Sequence, residues 1–135
     1  MKVVELLTLV KANYPTAIQD GTLIHYINML EDTIYSDIVG TLDIEPLTTG
    51  DPPIAREQYK PDKKTFELMH TQELALTDMG DRWAELYEYY LYSRMALLNK
   101  DFEDYQNYAS VYNALHDDFV AFYFSRRSTP RVNWR

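Results

Sequence analysis

The sequence contains no cysteine, and this absence removes several kinds of functional site at once. Disulfide bridges, thiolate zinc sites, iron–sulfur clusters and cysteine nucleophiles all require the missing side chain. Glycine is also scarce, and the four glycines lie at least ten residues apart. Because a phosphate-binding loop places its glycines within a few residues of one another, the sequence excludes the common glycine-rich nucleotide motifs.

Long apolar runs are missing as well. The apolar residues near the N-terminus follow a single basic residue, Lys2, and are interrupted by Glu5 and Lys11, which makes a poor signal peptide. No window approaches the roughly 20 apolar residues that a transmembrane helix requires. Together with the lack of cysteine, this pattern predicts a protein made in a reducing cytosol and without a membrane anchor.

Residues arranged for catalysis are equally sparse. Glu67 and His70 show one Glu-x-x-His spacing, but a carboxylate-bridged di-iron bundle needs two such motifs and two further glutamates. No Gly-x-Ser-x-Gly nucleophile elbow is present. Adjacent acids such as Asp117 and Asp118 point in different directions around a helix. We therefore expect no enzymatic activity, no metal and no cofactor, although acid–base chemistry from distant carboxylates remains open at this level.

Charge is strongly uneven along the chain. The formal net charge is −8, yet residues 125–135 carry four arginines and no acid, so the remaining 124 residues sum to −12. An acidic body disfavours adhesion to nucleic acid. The basic tail, residues 128–135 with the preceding Arg126 and Arg127, suits contact with an acidic protein surface or a phosphate backbone. A solvated chain end is the alternative interpretation.

Periodicity predicts a mainly α protein, a small bundle of about four helices in a single domain over residues 1–127. The first helix is expected from Val3 to Ala12. The second is expected to be capped by Asp20 and to carry an apolar stripe to Ile38. Asp81 is expected to cap the third helix, which is apolar nearly all round, and the fourth helix is expected to run on to Arg127 after a break at Asn99-Lys100-Asp101.

Residues 41–80 interrupt this pattern between the second and third helices. Five helix-breaking residues fall in the segment: Pro46, Gly50, Pro52, Pro53 and Pro61. A weak alternation follows between Thr65 and Leu76. We interpret the segment as an inserted loop with a short β-hairpin, and a connection of this length within a compact domain is usually functional or mobile.

Tyrosine is the residue that this sequence has in excess. Eight of the twelve tyrosines fall between Trp83 and Arg127, on the last two predicted helices. Tyrosine rings concentrate where one protein meets another. Tyr89, Tyr92, Tyr108 and Tyr112 are therefore candidates for contacts between subunits. Each of them could equally fill the core of its own subunit.

Two passages together resemble a known family. One is Tyr14-Pro15, a polar gap, Asp20 and then LIHYINMLEDTIYSDIV. The other is LYEYYLYSRMALLNKDFEDYQNYASVYNALHDDFVAFYFSRR. The pattern is a tyrosine-rich helix, an asparagine at a tight break, an acidic-aromatic turn and a last helix rich in tyrosine and asparagine. The matching residues are Tyr87, Tyr90, Leu91, Arg94, Leu97, Asn99, Phe102, Tyr105, Asn107, Tyr112, Asn113, Phe119, Tyr123 and Arg126.

In this order the residues resemble the head–tail connector proteins (adaptor or head-completion proteins) of long-tailed bacteriophages that infect Gram-positive bacteria. The resemblance covers about half of the chain, residues 14–39 and 81–127. The break at Asn99-Lys100-Asp101 departs from the more usual Asn-Gly-Glu, and residues 41–80 have no counterpart that we can match.

The resemblance implies a structural protein of the virion neck, assembled in the host cytoplasm. About twelve copies would form a ring beneath the portal protein, meet a further neck or tail-completion protein, and continue a channel through which DNA passes without specific binding. It implies that the C-terminal segment reaches the portal, which makes Arg126, Arg127, Arg131, Val132 and Trp134 the candidate docking residues.

A different class of function remains open. A non-viral or regulatory helical adaptor could bind one protein partner as a monomer or dimer and would need the same aromatic surface. The oligomeric state, measured alone and with portal protein, separates this alternative from a ring-forming connector.

Overall fold

Four α-helices make up most of the described chain. The structure, a computed structural model, describes residues 1–38, 64–66 and 72–127, without the side chains of residues 78 and 125–127. Helix α1 spans Val3–Asn13, α2 Asp20–Asp37, α3 Ala84–Leu98 and α4 Phe102–Arg127, and two short 3₁₀-helices, Ala75–Met79 and Asp81–Trp83, precede α3. The prediction of a mainly α bundle of four helices is confirmed.

Helix α3 is the centre of the bundle, because it packs against α1, α2 and α4. Its buried residues point to every side of the helix: Leu86, Tyr87, Tyr90, Leu91, Tyr92, Ser93, Met95 and Ala96. Helix α4 packs chiefly against α3 and fully buries only Phe119 and Tyr123 among its described side chains. The helix predicted to be apolar all round is thus the one enclosed by the others.

Hydrogen bonds to the backbone hold residues 72–74 beside the start of α1 and Phe66 beside α2. The Val3 N–H donates to the Gln72 carbonyl at 2.9 Å, and the Leu74 N–H donates to the Met1 carbonyl at 2.9 Å. The Asn28 side chain clasps Phe66 in a similar way, since its amide donates to the Phe66 carbonyl at 3.0 Å and its Oδ1 accepts the Phe66 N–H at 2.8 Å. These bonds fix both described stretches of the predicted insertion, residues 64–66 and 72–80, to the bundle.

A buried carboxylate joins α2 to α3. Glu31 is only 3% exposed, and its Oε1 accepts the hydroxyl hydrogen of Tyr87. The same Tyr87 hydroxyl accepts the N–H of Leu76 at 3.0 Å. The Tyr87 hydroxyl therefore connects α2, α3 and the first 3₁₀-helix. Because these polar groups are buried, the loss of a hydrogen-bonding partner would cost stability.

The turn between α3 and α4 is made by the predicted residues. Lys100 has φ 61°, a left-handed conformation, and the Asp101 N–H returns to the Ala96 carbonyl at 2.9 Å. The Asp101 carboxylate accepts the Asp104 N–H at 3.2 Å and caps α4. Glycine is the residue that favours this conformation, and Lys100 adopts it with a full side chain.

We expect Lys100→Gly to stabilise the protein by about 0.5–1 kcal/mol, because relief of the left-handed strain outweighs the added freedom of the unfolded chain. Urea unfolding followed by circular dichroism measures the change. Lys100→Ala is the matched control, since alanine removes the same side chain and keeps the strain. An unchanged or lower unfolding midpoint for Lys100→Gly would contradict the expectation.

Three predicted details differ from the structure or lie beyond it. Asp20 is the first residue of α2 and pairs with Lys11, so it is not a side-chain cap. Asp81 begins the second 3₁₀-helix, and α3 follows only at Ala84, because the intervening turn brings Trp83 into the core. Most of the insertion lies outside the described residues, and so do residues 67–71 in the middle of the predicted hairpin. Within the described part, Glu73 forms an isolated bridge with Lys2.

Candidate functional site

An aromatic cluster lies where the C-terminal end of α1 meets α3 and α4. The Tyr92 ring centroid lies 5.5 Å from that of Tyr89 and 5.1 Å from that of Tyr108. The Tyr14 ring is 6.3 Å from Tyr92 and 6.1 Å from Tyr108. Edge-to-face and tilted contacts at these distances stabilise a fold beyond simple burial. Three of the four predicted interface tyrosines therefore contact one another within a single subunit.

Tyr92 is the buried member of this cluster, with an exposed fraction of 5%. Its hydroxyl donates to the Glu88 Oε2 at 2.7 Å and accepts from the Asn13 Nδ2 at 3.1 Å. Burial, and after it the hydrogen bond to Glu88, raises the pKa of Tyr92 well above that of a free phenol. The ring is covered by its own chain, whereas Tyr89 and Tyr108 are half-buried.

Tyr112 lies apart from the other three, one to two turns further along α4. Its ring centroid is 5.4 Å from that of Tyr90, and the side chain is half-buried. Burial, followed by the neighbouring Tyr90, raises the pKa of Tyr112 to about 12. The four predicted tyrosines thus form two separate contacts between α3 and α4, and do not form one exposed patch.

We expect alkaline conditions to destabilise this fold through these phenols. Burial raises the pKa values of Tyr92, Tyr108 and Tyr112 in the folded state, while the unfolded chain loses its phenolic protons near pH 10. Their stabilisation is therefore complete below about pH 10 and is lost as the pH rises towards 12.

Urea unfolding midpoints between about pH 8 and pH 11 measure this loss, with tyrosinate absorbance recorded in parallel. Tyr112→Phe serves as the control, because it should make the decline in stability shallower. If all twelve tyrosines of the folded protein ionised together near pH 10, the interpretation would be wrong.

Exposed apolar side chains concentrate at the α3–α4 turn. Leu97 is 36% exposed, Leu98 52% and Phe102 60%, and we call these three residues the hairpin tip. The sequence pattern places Leu98 and Phe102 at the ends of the two apolar stripes. Leu98 is the last residue of α3 and Phe102 is the first residue of α4, and no described element covers their side chains. Their position at the helix ends was the signal in the sequence that these side chains are exposed. Large exposed apolar groups of this kind commonly mark contact sites.

Beyond the acidic first turn of α4, which holds Glu103 and Asp104, the outward face of the helix carries no charge as far as Ala114. Its exposed residues over three turns are Gln106, Asn107, Ser110, Val111, Asn113 and Ala114. Charged residues return beyond them at Asp117 and Asp118. Depletion of charge distinguishes the centre of protein interfaces from ordinary surface, so this face suits contact with another protein.

The predicted portal-docking residues are only partly reached by the structure. Arg126 and Arg127 end α4, and their side chains lie outside the described set. Arg131, Val132 and Trp134 lie beyond residue 127 and outside the described residues altogether. The prediction that they dock to a partner therefore stays a prediction.

Carboxylates near the N-terminal end of α1 serve structural contacts. Glu5 accepts the Lys2 N–H at 2.8 Å, which completes a capping box. Glu73 pairs with the Met1 ammonium at 2.8 Å, and the hydrogen bond to this ammonium lowers the pKa of Glu73. The positions of these groups are explained by capping and pairing.

Over residues 1–38, 64–66 and 72–127, no three or more histidine or acidic side chains are grouped so that they could hold a metal ion. Glu67 and His70 fall outside these ranges. Within the same part of the chain, no helix has the length and apolar character needed to cross a membrane. The tip and the uncharged face of α4 remain as the candidate functional surface.

No family model, curated protein or solved structure matches this chain.

Proposed function

We propose that this chain is a structural protein of a bacteriophage neck. About twelve copies form a ring below the portal protein, join the capsid to the tail and continue the DNA channel. The observation that carries the proposal is the hairpin tip together with the uncharged face of α4 between Gln106 and Ala114, on a chain whose net charge is −8. The protein acts by binding other proteins and not by chemistry.

Electrostatics favours self-assembly through this particular surface. Copies of a strongly acidic chain repel one another, so a stable contact between them must use a surface with little charge. The outward residues of α4 between Gln106 and Ala114 satisfy that condition. Helix α4 also packs chiefly against α3, which leaves this side of it open to a neighbouring subunit.

The same charge distribution suits a DNA channel. An acidic wall makes few contacts with phosphate, so DNA slides past it without adhering. The arginines of residues 126–135 are separated from this acidic body at the end of the chain. A basic segment at that position suits docking to an acidic surface of the portal.

The sequence resemblance adds to these physical arguments. Its matching residues lie on α3, on the following turn and on α4, which together form the hairpin that carries the candidate surface. Lys100 adopts the left-handed conformation at the position where the family usually has glycine. The hairpin is therefore the part of the fold on which the proposal depends.

Deleting residues 128–135 tests portal docking directly. We expect a folded protein that no longer binds portal-containing particles, because three of the five candidate docking residues, Arg131, Val132 and Trp134, are removed while the described helices stay intact. A pull-down with purified portal particles measures attachment, and circular dichroism verifies that the helices are retained. Substituting Arg131 and Arg135 by glutamine in the full chain is the matched control for charge alone.

Normal attachment of the truncated protein would remove the docking claim.

The ring itself is tested by electron microscopy of the full-length protein bound to portal. Light scattering addresses the alternative function, a helical adaptor that binds one partner. A stable dimer whose size is unchanged by portal protein would favour the adaptor and overturn the neck assignment.

A further inference from the structure

We propose that Arg94 and the hydroxyl groups of Tyr90 and Tyr112 form a binding site for a carboxylate group on one side of the α3–α4 hairpin. The site lies within one subunit and does not depend on the phage neck role. It recognises its ligand by charge and hydrogen bonds, and no covalent bond forms or breaks.

Arg94 lies on α3 with its guanidinium group over a neighbouring ring. Its Cζ is 5.1 Å from the ring centroid of Tyr90, one turn earlier in the helix. The side chain is half-buried, and its Nε atom is buried without a hydrogen-bond partner in the described part of the chain. Stacking occupies the flat face of a guanidinium group and leaves the N–H groups around its edge to bind an acceptor.

Arg94 differs from the other half-buried lysine and arginine side chains of the described chain because it lacks an acceptor. Lys11 pairs with Asp20, and Lys64 donates to the Glu73 carbonyl at 3.0 Å. Over residues 1–38, 64–66 and 72–127, no carboxylate or carbonyl oxygen accepts a hydrogen bond from Arg94. A partly buried charge is normally paired, since an unpaired one bears the cost of leaving water. The chain contains 21 acidic residues, and this cation is nevertheless left for a carboxylate from elsewhere.

The phenols beside Arg94 supply further hydrogen-bond donors. The ring centroids of Tyr90 and Tyr112 are 5.4 Å apart. Burial and the neighbouring Tyr90 raise the pKa of Tyr112, while the positive charge of Arg94 opposes them, so the three polar groups lie near one another. Neither hydroxyl has a hydrogen-bond partner among the described residues. Donors gathered without an acceptor are the arrangement that an oxyanion completes.

A carboxylate suits this group of donors better than a phosphate does. A guanidinium group binds either anion through two parallel N–H bonds, so its geometry alone does not choose between them. The net charge of the chain is −8, which repels a doubly charged phosphate more strongly than a singly charged carboxylate. We therefore expect the ligand to be an acidic side chain of another molecule or a free carboxylic acid.

Acetate is the probe for this site. In proton–nitrogen NMR spectra of the full chain at about pH 7, sodium acetate should shift the signals of the Arg94 Nε–H and of Tyr112, with half-saturation at roughly millimolar acetate. Sodium chloride at the same ionic strength should give no saturable shift. An equal response to chloride, or tighter binding of inorganic phosphate than of acetate, would overturn the proposal.

Variants of two arginines make the test specific. Arg94→Gln should abolish the saturable shift of the Tyr112 signals, and Arg94→Lys should weaken acetate binding by about tenfold, because lysine keeps the charge but loses the planar fork. Arg82→Gln is the matched control, since Arg82 also lies over an aromatic ring, that of Trp83, but is exposed. It should bind acetate as the unaltered protein does.

Acetate binding that persists in Arg94→Gln would contradict the site. If that variant fails to fold by circular dichroism, the Arg94 Nε–H signal of the unaltered protein still decides, because a site at Arg94 must shift this signal.

Sedimentation of the protein at rising concentration identifies the source of the carboxylate. Self-association that Arg94→Gln removes and acetate reduces would support the site and assign the ligand to an acidic side chain of a second copy. A protein that stays monomeric and binds acetate saturably at Arg94 would support the site and assign the ligand to a different acidic molecule.

Discussion

Tyr87→Phe is expected to destabilise the fold by about 3 kcal/mol, although it removes one oxygen atom and leaves the ring in place. The hydroxyl donates to the buried Glu31 carboxylate and accepts the Leu76 N–H. The substitution takes a donor from a buried carboxylate and an acceptor from a buried N–H. Losing a partner inside a protein costs more than the net value of the hydrogen bond, and most where a charge is involved.

Urea unfolding followed by circular dichroism measures this effect, and the melting temperature should fall by roughly 10 °C. Tyr105→Phe is the control, because Tyr105 is only half-buried and the same atom is removed, so we expect a change below about 0.5 kcal/mol. Equal effects of the two tyrosine substitutions would show that the buried network contributes little.

Trp83→Ala is expected to cost about 3–5 kcal/mol, which is typical for removing a large buried ring. Trp83 is 1% exposed, and its ring lies 5.0 Å from that of Phe119 and 5.1 Å from that of Phe122. These contacts fasten the C-terminal half of α4 to the start of α3. The loss of local stability should therefore be greatest in the C-terminal half of α4. In the variant, hydrogen exchange should show faster opening of residues 115–127 than of residues 102–112.

Trp83→Phe separates packing from hydrogen bonding. The Trp83 indole N–H is buried and has no hydrogen-bond partner within the described part of the chain, so phenylalanine gives up no such bond. We expect phenylalanine to retain most of the stability, because it refills much of the volume. If phenylalanine proved as damaging as alanine, an unseen partner of the indole would have to be sought.

Strong periodicity made the helices predictable from the sequence. Helix α1 was expected from Val3 to Ala12 and spans Val3–Asn13, and the break at Asn99-Lys100-Asp101 separates α3 from α4 as expected. The starts of α2 and α3 were less predictable. The carboxylate of Asp20 pairs with Lys11, and Trp83 is drawn into the core, so tertiary contacts override the local capping signals.

The candidate site was harder to infer. Sequence alone left open whether the tyrosines of α3 and α4 serve neighbours or the core, and the structure places Tyr92 inside its own subunit. The exposure of Leu98 and Phe102 depends on which elements reach the turn, which periodicity does not show. The burial of Glu31 depends on Tyr87, 56 residues away, and no local pattern reports a contact of that range.

The clasp between Asn28 and Phe66 has a consequence for how this protein can change over evolutionary time. It fixes one end of residues 39–65 to α2, while α2 itself fixes the other. Lengthening a chain between two fixed ends costs only about 0.6 kcal/mol for each doubling of its length. We therefore expect the four helices to tolerate changes in the length of the chain between Asp37 and Phe66.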